Sequence, residues 1–144
     1  MTVLAENLSK GAYILVQSEK NPEVILMASG SEVSLAVEAF DLLQSEGINA
    51  RVVSFPSWEL FDIQSDEYKE SVLPKSVKAR ISIEAGIKQG WEKYLGEYGE
   101  AISIEKFGAS APSEVLFKEY GFTKEAVVKS VRRVLNKVHD TNKV

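Results

Sequence analysis

Cysteine is absent from the 144 residues, which excludes disulfides, thiolate catalysis and Cys-ligated metals. Histidine occurs once, as His139 near the C-terminus, so imidazole chemistry has a single candidate. No apolar run approaches the roughly 18 residues of a membrane-spanning helix. The start, Met1-Thr2-Val3-Leu4-Ala5-Glu6, has no basic segment followed by an apolar core and is no signal peptide. Charge of one sign is also missing. Seventeen Lys and Arg face 21 Asp and Glu, mixed along the chain, for a net charge of −4. Phosphate backbones need a basic stripe, so nucleic acid is not an expected partner, and neither is a membrane. Neither G-x-G-x-x-G nor G-x-x-x-x-G-K-[ST] follows a strand, which excludes the dinucleotide fingerprint and the P-loop. No internal repeat or low-complexity tract occurs. The expected location is the cytoplasm.

What is present is an ordinary globular balance, 44% hydrophobic and 26% charged, at the length of one domain. Val24 to Ala28 is a continuous apolar run, as in a strand buried on both faces of a parallel sheet. It passes through Ser29-Gly30-Ser31 into a helix whose apolar face is Val33, Ala36, Val37, Phe40 and Leu43. Ser29 and Glu32 have the spacing of a capping box, and Gly30 permits the turn between them. Gly47 reads as the C′ residue of that helix. Tyr13–Val16, Arg51–Phe55, Ala79–Ala85 and Ala101–Glu105 are further strands. The polar turn Gln17–Pro22 would pair the first strand with Val24–Ala28 as a hairpin. Trp58–Ile63 reads as an aromatic-rich connection and Asp66–Val72 as a short helix closed before Pro74. Gly86–Leu95 reads as a helix that turns Trp91 and Leu95 inward. Pro112 suits the first position of a helix closed by Gly121. Thr123 caps a last helix with Val127, Val131, Val134, Leu135 and Val138 buried, and Lys129, Arg132, Arg133 and Lys137 off that face. Alternating strands and helices predict an α/β fold, a three-layer α/β/α sandwich on a mostly parallel sheet of about five strands.

Chemistry is harder to find. Open α/β sheets bind ligands beyond the carboxyl ends of their strands, at a topological switch point. Ser29, Gly30, Ser31, Glu84 and Gly86 would rim such a crevice, with an anion on the helix N–H groups as the candidate ligand. Plain capping explains the same serines. Gly108-Ala109-Ser110-Ala111-Pro112 resembles a nucleophile elbow but lacks its final glycine and a nearby base. Asp62, Asp66, Glu67 and Glu70 lack the spacing of a calcium loop and read as a solvated acidic face. Trp58 and Trp91 read as core rather than as a ligand platform. No catalytic constellation emerges, and no catalytic, cofactor-binding or metal-ligating residue is assigned.

Several segments, taken in order, resemble one family. Leu26-Met27-Ala28-Ser29-Gly30-Ser31-Glu32-Val33 is similar to the "ATGSEV" signature of the transketolase C-terminal domain. Arg51–Ser57 is similar to its "RVVSMPS". Phe61-Asp62, Gln64, Tyr68 and Ser71-Val72-Leu73-Pro74 follow, then Ser82-Ile83-Glu84-Ala85-Gly86 with Trp91 and Tyr94, then Phe107–Pro112 with Gly121-Phe122-Thr123. The resemblance runs from about Gly11 to Val134. Met27-Ala28-Ser29 replaces the usual Ile/Ala-Thr turn, and Phe55 stands where Met is common.

The resemblance implies a thiamine-diphosphate enzyme of the pentose phosphate pathway that moves a two-carbon ketol unit from a ketose phosphate to an aldose phosphate. It implies three α/β domains in the full chain, with residues 11–138 as the last, 1–10 as a linker remnant and 139–144 as a flexible tail. Thiamine diphosphate and Mg²⁺ would belong to the other domains, since the family's G-D-G motif is missing here and its activating glutamate lies in the middle domain. The partners implied are those domains and the second subunit of a homodimer. The isolated chain would be inert and serve assembly. The resemblance also implies a mixed sheet whose first strand is antiparallel, at the edge beside 51–55. Two alternatives remain open. One is an anion- or nucleotide-binding regulatory module. The other is the C-terminal domain of pyruvate dehydrogenase E1-beta or deoxyxylulose-phosphate synthase, against which the Phe-Gly-Ala-Ser-Ala-Pro and Val-Leu-Pro segments weigh.

Overall fold

Strand β2 (Val24–Ala28) is buried at every residue because the sheet continues on both of its edges and helices cover both of its faces. The structure, a computed structural model, describes residues 9–84, 91–103 and 123–142. Around β2 lie β1 (Tyr13–Gln17), β3 (Ala50–Ser54), β4 (Ala79–Glu84) and β5 (Glu100–Ser103), in the order β1-β3-β2-β4-β5. β2, β3, β4 and β5 pair in parallel. β1 runs antiparallel to β3, with Tyr13 opposite Ser54 and a register shift between Ile14 and Val16. The hairpin expected from the Gln17–Pro22 turn does not form. The chain carries β1 to the far edge of β3 instead, where the family resemblance puts it.

Side-chain alternation along the strands divides the core in two. Val24, Leu26, Ala28, Val52, Ile81 and Ile83 meet α1 (Glu32–Ser45) and α5 (Lys124–Asn142) on one face. Ile25, Met27 and Val53 meet the opposite layer, made of α2 (Trp58–Asp62), α3 (Asp66–Val72) and α4 (Glu92–Leu95). The result is the three-layer sandwich. No helix among the described residues is long and apolar enough to cross a membrane.

Local rules explain most element ends. Gly47 takes φ 78° after α1, and its N–H reaches the Gln44 carbonyl at 3.1 Å. Thr123 Oγ1 accepts from Ala126 N at 3.2 Å and caps α5. Ser65 Oγ accepts from Tyr68 N at 3.1 Å and caps α3. Two cations tie the second layer to the sheet. Arg51 on β3 is buried and donates through Nη1 to the Ser71 and Val72 carbonyls, each at 3.0 Å, at the C-terminal end of α3. Arg80 on β4 donates to the carbonyls of Leu73, Pro74, Val77 and Tyr94.

Two further expectations change. Trp58–Asp62 is a helix rather than a connection, because Ser57 Oγ accepts from Leu60 N at 3.2 Å and nucleates a turn. On α1 the buried residues are Glu32, Leu35, Ala36, Ala39, Phe40 and Leu43, while Val33 and Val37 are only half-buried. The helix packs against α5 as well as the sheet, which turns its buried stripe toward Leu35 and Ala39. The last helix, α5, runs from Lys124 through Asn142. The elbow-like segment 108–112 and the helix expected after Pro112 lie outside the described residues.

Candidate functional site

The carboxyl ends of β2 and β4 bring the turn and Glu84 to one end of the sheet. Ala28 pairs with Ile83, so Ser29 and Glu84 are the next residues at the same level. Phe55 N donates to the Ala28 carbonyl at 2.9 Å and fixes the third strand end beside them. On the β3 side, Ser29, Phe55, Pro56, Ser57, Trp58 and Glu59 line a shallow groove of ≈ 340 Å³. The structure therefore assembles Ser29, Gly30, Ser31 and Glu84 at the switch point. Gly86 lies outside the described residues.

The turn is built differently from a capping box. Gly30 adopts φ 60°, which explains the glycine by conformation. A Cβ there would meet only Glu32 Oε2, at an ordinary 3.8 Å. Ser31, not Ser29, precedes the helix, and its hydroxyl makes no capping bond to a backbone N–H. Instead the Ser29 carbonyl accepts from Glu32 N and the Gly30 carbonyl from Val33 N, both at 3.3 Å. The Ser31 hydroxyl donates to Glu32 Oε1 at 3.1 Å.

Glu32 is the residue sequence reasoning missed. It is only 7% exposed. Burial pushes its carboxyl pKa up, the Ser31 hydrogen bond opposes the rise, and the nearby charge of Glu84 adds to it. Its signal was present in the sequence. Glu32 lies on the stripe of Leu35, Ala36, Ala39 and Leu43, so a helix that buries this stripe buries its carboxylate. The electrostatic consequence is direct. The Glu32 carboxyl and the Glu84 charge that acts on it lie at this end of the sheet, and two carboxylates oppose an anion there. The diphosphate of thiamine diphosphate does not fit these residues.

The other candidates resolve into packing. Trp91 is fully buried and meets Phe55 and Trp58 edge-on at 5.4 and 5.3 Å between ring centroids. Asp62 is no solvated bystander. It accepts from the Tyr94 hydroxyl at 2.7 Å and pairs with Lys93, which together hold its carboxyl below the usual range against the effect of burial. Asp66 and Glu67 are exposed at the start of α3, as expected of a solvated acidic face. His139 is exposed on α5. Among the described residues, no three His, Cys, Asp or Glu side chains are grouped so as to hold a metal ion.

Comparison with known proteins agrees with this architecture. The profile of the family described as Transketolase-like TK C-terminal domain matches residues 11–123. The chain is 54% identical over 129 residues to the chloroplastic transketolase of Zea mays, covering 88% of this chain and 19% of that protein. It is 51% identical over 130 residues to the transketolase of Halalkalibacterium halodurans, covering 90% and 20%. A solved transketolase from Pichia stipitis, in complex with sedoheptulose 7-phosphate, superimposes with a TM-score of 0.84 at 41% identity over 94% of this chain and 19% of that one. The chain thus spans about a fifth of the length of the curated relatives it matches. With the family profile matching most of its length and identity above 50% to curated members across most of its residues, the chain belongs to the transketolase C-terminal domain family.

Proposed function

We propose that this chain is the C-terminal domain of a thiamine-diphosphate-dependent transketolase and that, by itself, it serves assembly and performs no chemistry. In the full protein the reaction is the transfer of a two-carbon ketol unit from a ketose phosphate to an aldose phosphate. The observation that carries this reading is the identity of 51–54% to transketolases over nearly the whole chain, at about a fifth of their length. The site geometry supports it. The charged side chains best placed for chemistry already hold structure: Arg51 and Arg80 on backbone carbonyls, Asp62 on Tyr94 and Lys93. The switch point brings the Glu32 carboxyl within reach of the Glu84 charge, where a diphosphate would need donors. Thiamine diphosphate and Mg²⁺ therefore belong, in this proposal, to other domains of the same protein. Those domains and a second subunit are the partners of this one. Calorimetry of the purified chain with thiamine diphosphate and Mg²⁺ tests the proposal. The expected result is no heat of binding, and a saturable isotherm would overturn it.

A further inference from the structure

We propose that the cavity between α2, α3 and α4 is a binding site for a small organic phosphate, with the Arg80 guanidinium and the Lys75 ammonium as its anion-binding groups. The cavity measures ≈ 760 Å³, a size that suits a small molecule rather than a bare ion. Phe61 of α2, Lys69 and Glu70 of α3, and Lys93 and Tyr94 of α4 line it, and Arg80 reaches it from β4. Arg80 lies near the amino end of β4, away from Glu84 and the switch point at the carboxyl end.

The observation that carries the proposal is the charge of Arg80. A cation withdrawn from water is normally paired with a carboxylate. Arg80 is half-buried and makes no ion pair among the described residues. Its Nε donates to the Val77 carbonyl at 3.0 Å and its Nη1 to the Tyr94 carbonyl at 2.8 Å. Its Nη2 donates to the Leu73 and Pro74 carbonyls at 3.2 and 2.9 Å. These bonds fix the plane of the guanidinium, but carbonyl dipoles do not neutralise a full charge. One Nη1 hydrogen has no acceptor among the described residues. The Lys75 ammonium, on the rim of the same cavity, makes no ion pair either.

The carboxylates of the cavity are engaged elsewhere. Asp62 pairs with Lys93 and accepts from the Tyr94 hydroxyl at 2.7 Å. Asp66 is fully exposed and stands 3.8 Å from the Lys69 ammonium. Glu70 is the nearest competitor, since its charge acts on Arg80. It forms no ion pair with Arg80, and both of its oxygens accept from Lys75 N at 3.2 Å. Lys69, Lys75, Arg80 and Lys93 thus outnumber the three carboxylates on a chain whose net charge is −4.

Two cations of different shape suit a phosphate dianion. Arg supplies a fixed N–H direction and Lys a point charge on a flexible stem. Phe61, Leu73 and Tyr94 give the same cavity an apolar wall, which an organic group on the phosphate would cover. The switch point offers the opposite field, because Glu32 and Glu84 meet there.

Amide NMR of the 144-residue chain, titrated with inorganic phosphate and with phenyl phosphate at constant ionic strength, tests this. Saturable shifts are expected at Lys75, Val77, Arg80 and Tyr94, with phenyl phosphate binding more tightly than inorganic phosphate. Lys75→Gln should weaken both about fivefold, as for one solvent-screened charge, and leave the thermal midpoint unchanged. Arg80→Gln would also remove four structural hydrogen bonds, so Lys75→Gln carries the test. Lys129→Gln, on the exposed side of α5, should leave binding intact. Shifts that sodium chloride reproduces, or that Lys75→Gln leaves unaltered, would overturn the proposal. Equal affinity for the two phosphates would leave an inorganic-ion site only and would overturn the organic part of the assignment. Tighter binding of benzoate than of phenyl phosphate would overturn the choice of phosphate.

Discussion

At the scale of single residues, Glu32 shows most clearly how the fold alters chemistry. Its carboxyl pKa is raised by burial and by the charge of Glu84. A carboxyl whose folded pKa exceeds its unfolded one takes up protons on folding. Stability is therefore greatest below the ordinary carboxylate range, falls as pH rises toward the folded pKa, and stays reduced at neutral pH. Glu32→Gln should raise the thermal midpoint at pH 7 and lose that advantage at pH values below the carboxylate range. A variant less stable than the parent at pH 7 would contradict this account. The serines of the turn separate in the same way. Ser29→Ala should change stability by no more than about 0.5 kcal/mol, because backbone carbonyls rather than its hydroxyl close the first turn of α1. Thr123→Ala should cost about 1 kcal/mol, because that hydroxyl does cap a helix. Urea unfolding of the two variants side by side makes the comparison.

At the scale of elements, Glu100 ties the edge strand β5 to α5. It accepts from Arg133 through both Nε and Nη2, pairs with Lys137 at 3.0 Å, and accepts from the Ser130 hydroxyl at 2.9 Å. The Arg133 hydrogen bonds lead in holding its carboxyl pKa down to about 2, against the opposing effect of burial. A depressed folded pKa stabilises above the unfolded pKa and is lost as pH falls toward about 2. Glu100→Gln should cost about 1–2 kcal/mol at pH 7, allowing for solvent around the exposed Arg133 and Lys137. The gap to the parent should narrow steadily as pH drops below the carboxylate range. A gap independent of pH would contradict the assignment. Elements also differ in how plainly the sequence announced them. β2 and β3 were legible as short apolar runs between turn residues, and α5 by its period of buried valines. α2 was not, because five residues are too few to display a helical period and its aromatics suit a loop as well as a helix. The partner of β1 was not legible from pattern either. A short polar turn favours a hairpin locally, and only the pairing of the whole sheet sends β1 to the edge of β3.

At the scale of the whole molecule, the fold class followed from alternation, whereas the family followed from an ordered series of segments no one of which suffices alone. The candidate crevice was half legible. Ser29, Gly30 and Ser31 are consecutive and Glu84 ends a strand, so their meeting follows from parallel pairing. The carboxylate that sets the crevice's charge went unread because Glu32 suited a cap as well as a buried stripe. The molecule that results is a sandwich in which Arg51, Arg80 and Glu100 tie the outer layers to the sheet. Its account as an assembly domain is tested most directly by ketol transfer from a ketose phosphate to an aldose phosphate, with thiamine diphosphate and Mg²⁺ supplied. The assay compares the 144-residue chain with the longer protein that carries it. The expected result is turnover by the longer protein and a rate for the chain equal to the protein-free blank. A rate that rises in proportion to the concentration of the 144-residue chain would contradict it.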